Sequence, residues 1–66
     1  MKSKKLKPGQ FLVEMLEDDK RFKLKKGDVL VAIESSYDDE KVTIEYRQSD
    51  GFDPMCAQYK NSVKRI

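Results

Sequence analysis

The sequence predicts one all-β domain, a small, five-stranded, partly open barrel. Three observations carry that expectation. The first is Val29-Leu-Val-Ala-Ile33, the longest unbroken apolar run in the chain. Five residues with two valines and an isoleucine are too few for an ordinary helix and suit a strand packed on both faces. The second is the alternation in Lys41-Val-Thr-Ile-Glu-Tyr-Arg47. Val42, Ile44 and Tyr46 fall on one side of a strand and Lys41, Thr43, Glu45 and Arg47 on the other, so one face is dry and one wet. The third is punctuation. Gly9, Gly27 and Gly51 stand alone in turn-like settings, and between them lie pieces of strand length.

In chain order, Pro8 and Gly9 mark the entry to the fold. Residues 10–16 read two ways. With period two, Phe11, Val13 and Met15 share a face. As a helix, Phe11 stacks on Met15 and Leu12 on Leu16. Residues 17–21 are polar throughout, so such a helix would be too short to hold by itself. The strand is the preferred reading, and a small α+β fold with residues 10–18 helical is the alternative. Residues 17–21 then form a solvated loop. Phe22 and Leu24 bracket Lys23 as a short strand that runs into a turn over residues 25–28, where Gly27 supplies a positive φ. Residues 37–40 make a second loop, and residues 48–51 close the third strand with a turn. Pro54 is barred from a central ladder. Residues 55–60 form a fourth strand with Met55, Ala57 and Tyr59 on one face. Tyr46 and Tyr59 are expected in the core or half-buried. Asn61 and Ser62 make a turn, and residues 63–66 end the fold.

Sixty-six residues make one domain. A domain so small buries only about 60% of its unfolded surface, so its core is limited. Charged residues (39%) match apolar ones (38%), but the apolar ones are clustered, which argues against disorder. A single cysteine, Cys56, excludes an internal disulfide and suits a reducing compartment. No apolar run approaches the ~20 residues of a membrane span, and no signal-peptide core is present. The cytoplasm is the expected location, without a membrane partner. The net charge of +2 is uneven. Lys2, Lys4, Lys5 and Lys7 make residues 1–7 a basic, flexible arm, while residues 8–66 carry ten basic and twelve acidic side chains.

Residues 22–30, Phe-Lys-Leu-Lys-Lys-Gly-Asp-Val-Leu, resemble the diverging turn and second strand of SH3 domains. There an apolar residue, polar residues, a glycine, an acid and an apolar strand follow in that order. Residues 61–66, Asn-Ser-Val-Lys-Arg-Ile, are similar to the 3₁₀ turn and last strand of those domains. Gly51-Phe-Asp-Pro54 is similar to their glycine–aromatic–x–proline step, with extra residues before the last strand. The resemblance covers roughly the last two-thirds of the chain. It implies an SH3-like barrel over residues 8–66. Two departures limit it. The Ala-Leu-Tyr-Asp-Tyr-like run of SH3 domains is replaced by Phe11-Leu-Val-Glu-Met-Leu16, and their tryptophan pair is missing, with Lys41 and Val42 in its place. Those residues build the groove for polyproline peptides, so the resemblance extends to architecture and not to that ligand.

The chemistry the sequence excludes is as telling. Without histidine there is no Ser–His–Asp triad and no Cys–His pair. Cys56 has no Cys-x-x-Cys partner for zinc, and the acids at 17–19 and 38–40 lack the alternate spacing of a calcium loop. No metal, no cofactor and no enzymatic activity are expected. Cys56, between Met55 and Ala57, reads as a buried, inert thiol. A protein-interaction module with an unknown partner ranks first, of the kind common among small accessory proteins of bacteria and their phages. Its candidate contact residues are the loop-edge aromatics Phe22, Tyr37 and Phe52, with the acids Asp38 and Asp39 beside Tyr37. A nucleic-acid-binding barrel ranks second. It would use Lys2, Lys4, Lys5 and Lys7 on the arm, with Lys23 in the basic stretch 20–26.

Overall fold

Residues 6–66 are described by the computed structural model. The first strand, β1 (Gln10–Met15), settles the ambiguity at residues 10–16. Phe11, Val13 and Met15 are buried, with Gln10, Leu12 and Glu14 half-buried between them, which is the period of a strand. The others are β2 (Val29–Glu34), β3 (Lys41–Arg47), β4 (Ala57–Tyr59) and β5 (Val63–Arg65). All pairings are antiparallel and the sheet order is β4-β3-β2-β1-β5. The sheet curls into an open half-barrel compatible with an SH3-like architecture. The central apolar run is β2, flanked on both sides as its composition demands.

Paired residues share a face, so the register fixes what lies inside. Phe11 faces Ala32 and Val13 faces Leu30, and these join Met15, Leu24, Val42, Ile44 and Val63 in one core. Val31 is also buried, but on the outer face between Leu12 and Tyr46. The half-barrel therefore covers part of both faces of β2.

β3 departs from the alternation of its sequence. Val31 pairs with Tyr46, yet the next residue, Ala32, pairs with Ile44, which leaves Glu45 as a bulge. The extra residue changes the phase. Val42 and Ile44 point into the core as expected, but Tyr46 moves to the outer face and Arg47 to the inner face, opposite Leu30. The sequence placed both the other way round.

The short strand expected at residues 22–24 is a different structure. Lys20–Phe22 form a 3₁₀ turn capped by Asp19, whose Oδ1 accepts the Arg21 amide at 3.1 Å. Lys23 then takes a left-handed conformation, φ 60°. Leu24 is paired only through an isolated bridge to Asp19, with its side chain buried. Phe22 packs against the core, but from the 3₁₀ turn and not from a strand. The turn at residues 25–28 is as expected. Gly27 has φ 93°, and its amide reaches Met15 O at 2.8 Å. Asp28 braces the turn from both sides, donating N–H to Lys25 O and accepting the Lys25 amide on Oδ2, each at 3.0 Å.

The fourth strand is shorter than expected, three residues, and the side facing inward is the polar one. Gln58 is buried, donating to Asp19 Oδ2 at 3.0 Å, while Ala57 and Tyr59 are exposed. That bond is the leading reason the Asp19 carboxyl is held below its usual range. A second 3₁₀ turn, Lys60–Ser62, leads directly into β5.

Candidate functional site

Because the Glu45 bulge turns Arg47 inward, its guanidinium meets three segments at one end of the half-barrel. It grips Asp50 with two hydrogen bonds, 3.0 and 2.8 Å, and donates to Lys23 O at 3.0 Å and to Asp28 Oδ2 at 3.4 Å. It also lies 5.0 Å from the centre of the Phe52 ring. The Arg47 hydrogen bonds, followed by the Phe52 amide, hold Asp50 at a pKa of about 2. A fork with most of its donors engaged has little left for a ligand. This node closes the fold.

The candidate contact residues fall into two groups. Phe52 is in the node, and Phe22 is half-buried one residue from Lys23, with the Arg21 guanidinium 5.3 Å from its ring centre. Tyr37, Asp38 and Asp39 sit in the β2–β3 loop at the opposite end of β3. Seven residues of strand separate the groups by roughly 20 Å, so the structure does not gather them into one patch. Tyr37 is 98% exposed. Its loop is shaped by Ser35 Oγ, which accepts the amides of Tyr37 and Asp38, and by Asp38 Oδ1, which accepts that of Glu40.

The cations are divided as well. Lys2, Lys4 and Lys5 lie outside the described residues. Lys7 is exposed just before β1, its amide bonded to Gln10 Oε1 at 2.8 Å. Lys23 and its basic neighbours come after the far end of β1. Lys23 enters the node only through its backbone oxygen.

A further site was not singled out from the sequence: the outer edge of β4. Ile44 N donates to Cys56 O at 3.0 Å, and Lys60 N to Glu40 O at 2.8 Å. These bonds fix the phase. Residues 56, 58 and 60 turn their backbone toward β3, so Ala57 and Tyr59 turn theirs to the open edge. On the exposed face of that edge lies an apolar row: Met55 (85% exposed), Ala57 and Tyr59 (53% exposed). Tyr59 is thus more open than the sequence suggests. Met55 has φ 55°, a conformation uncommon for such a side chain, and its amide is tied to Asp53 Oδ1 at 2.7 Å. Beside it runs a shallow groove of about 500 Å³, with Glu45 and Asp53 among its lining residues. Cys56 lies at its margin, half-buried, and burial pushes its thiol up, away from the reactive thiolate. The one sequence signal for this site was the shared face of Met55, Ala57 and Tyr59. Its apolarity pointed inward, whereas the Gln58–Asp19 bond fixes it outward.

A second hollow, about 180 Å³, opens between β5 and the end of β4 over Phe11, Val13, Val42 and Val63. Its rim is spanned by Glu34, paired with Lys60 at 3.3 Å and Arg65 at 4.0 Å, and Arg65 covers the Phe11 ring. It is smaller than the several hundred Å³ of ordinary ligand pockets. Among the described residues, no group of three or more His, Cys, Asp or Glu side chains is placed to hold a metal, and no helix is long and apolar enough to cross a membrane. The chain matches no protein-family model, and neither a curated protein nor a solved structure is significantly similar to it.

Proposed function

We propose that the chain is a small SH3-like barrel that works in the cytoplasm as a non-enzymatic protein-interaction module, an accessory protein of bacterial or phage type. The observation that carries this reading is the β4 edge, where an apolar row stands exposed beside outward-facing backbone. Met55 is held there at a positive φ, a strain that adds nothing to the core and is typical of contact sites. Methionine adapts to varied apolar partners, and edge backbone accepts an added strand. Among the described residues, the nucleic-acid alternative has its cations divided between the two ends of β1, on a body with two more acids than bases.

Affinity capture from the native host's lysate tests the reading. Three baits are compared: the wild type, a Met55→Asp/Tyr59→Asp double variant, and a chain lacking residues 1–7. The expected result is a protein retained by the wild type and the shortened chain, lost with the double variant, and insensitive to nuclease. Nuclease-sensitive retention that disappears with residues 1–7 overturns the reading and puts nucleic acid first. In that case the salt slope on duplex DNA falls by about 0.9 for each phosphate contact removed.

A further inference from the structure

We infer that the partner of the β4 edge is the same edge of a second copy, laid antiparallel about a two-fold axis at Ala57. The inference rests on reading β4 as a contact edge and adds the identity of what it contacts.

Three features of the edge are complementary to themselves. The first is the backbone. Ala57 N–H and C=O both face outward, so two copies of Ala57 on the axis exchange two hydrogen bonds, as in any hydrogen-bonded antiparallel pair. The second is the side-chain row. With Ala57 on the axis, the exposed Met55 just before each strand is carried to the Tyr59 end of the other, a thioether toward an aromatic ring. The small Ala57 lets the strands approach. The third is charge. Asp53 and Glu45 stand at the Met55 end of the row, whereas Lys41 stands at the Tyr59 end; Lys60 is turned to the other side of the sheet, where it pairs with Glu34. Lys41 Nζ is 4.7 Å from the Tyr59 ring centre. Antiparallel pairing brings the Asp53 end of each copy toward Lys41 of the other, twice, as an isologous interface requires. A parallel arrangement would set like charges together. Natural edge strands are commonly guarded by shortness, by a charge or by a proline on the strand itself, and β4 has the first of these, which limits the pairing to one hydrogen-bonded ring at Ala57. At positions 57 and 59 this strand has neither a charge nor a proline.

Sedimentation equilibrium of the full chain tests the inference. At ~1 mM chain, where contacts of millimolar Kd are populated, a reversible monomer–dimer exchange is expected. Ala57→Pro removes the outward N–H without touching the β3 ladder. It should be monomeric at the same concentration, with an unchanged melting temperature. If it fails to fold, a charge exchange decides. Asp53→Lys alone and Lys41→Asp alone should each lose self-association at least ~tenfold, and their equimolar mixture should recover it. A wild type that stays monomeric at this concentration overturns the inference. So does a dimer indifferent to Ala57→Pro and to both charge variants. Either result leaves the interaction-module reading standing if the Met55→Asp/Tyr59→Asp variant still loses a different captured protein. That reading also falls if the double variant loses neither a captured protein nor self-association.

Discussion

The two ends of β3 are held in opposite ways. At the Arg47 end, side chains reach far along the sequence. Arg47 joins Lys23, Asp28 and Asp50 there, and the same β1–β2 loop is held again by Gln58, which lies opposite Val42 and donates to Asp19, and by Ser62, which donates to Glu17 at 2.8 Å. The long β1–β2 loop is thereby tied to β3, β4 and the turn before β5. At the Lys41 end, the side-chain bonds of the 35–40 loop span three residues at most. Its two roots are fixed from a distance, by Lys60 N–H on Glu40 O, by Glu34 with Lys60 and Arg65, and by Lys41 over the Tyr59 ring. Bonds between distant segments have to break together when the domain opens, whereas local bonds shape a loop without anchoring it. The difference teaches that the β1–β2 loop is built into the stability of this half-barrel, whereas the tip of the 35–40 loop is open to change.

The sharpest way to break the comparison is to loosen the long loop from the core. Leu24 is its apolar anchor and is almost wholly buried. Leu24→Ala should cost ~2–5 kcal/mol, read as a lowered denaturation midpoint in urea. A loss below ~0.5 kcal/mol, the level of an ordinary surface change, would mean the loop is held by its polar bonds alone. Next in size is Gly27→Val. At φ 93° a β-branched residue is strained by about 1–3 kcal/mol. Open space surrounds the glycine, so the effect is conformational and not a clash. An unaltered melting temperature would contradict the braced turn.

Arg47 sharpens the comparison through acid. Asp50 has a folded pKa of about 2 against an ordinary 3.8, and Asp19 is shifted the same way. A depressed carboxylate contributes stability that is complete above the unfolded pKa and lost as pH falls through the folded one. The wild type should therefore lose melting temperature between about pH 4 and pH 2. Arg47→Ala should lower stability at neutral pH, by less than Leu24→Ala, and flatten this acid limb. Arg47→Lys should restore little, because an ammonium cannot grip Asp50 with two parallel bonds while reaching Lys23 O. A variant whose acid limb matches the wild type would show that Arg47 is not the origin of the shift.

How far this asymmetry was legible follows from the range of the interactions. The strands over residues 10–15, 29–34 and 41–47 were readable because period and β-branching act locally. So was Gly27, since the turn itself demands a positive φ. The Glu45 bulge was not, because nothing in Thr43-Ile-Glu-Tyr-Arg47 breaks the alternation. The bulge exists only in the register against Val31 and Ala32. Every consequence of it was hidden as well: Tyr46 outside, Arg47 inside, and the node that Arg47 forms. The β4 edge was missed for a related reason. Counting apolar side chains favours Met55, Ala57 and Tyr59 as the inner face, and only Asp19, 39 residues away in sequence from Gln58, reverses it. Of the contact residues read from the sequence, Tyr37 alone is a fully open aromatic. Phe22 and Phe52 are engaged by neighbouring arginines.

Tyr37 supplies the smallest expected effect and the cleanest check on the open end. Its ring is 98% exposed, so removing it uncovers no core and empties no cavity. The loop's bonds run through the backbone amides of Tyr37 and Asp38 to Ser35 Oγ, and these survive a change of side chain. Tyr37→Ala should thus alter stability by no more than ~0.5 kcal/mol. Self-association through β4 should be equally untouched, since Tyr37 lies in the β2–β3 loop and not on the edge strand. If Tyr37 instead contacts a partner of its own, the variant loses that partner while its melting temperature and dimerisation stay at wild-type values. A drop in melting temperature comparable to that of Arg47→Ala would have another meaning. The loop would then be anchored by its aromatic ring, and the contrast between the two ends of β3 would not hold.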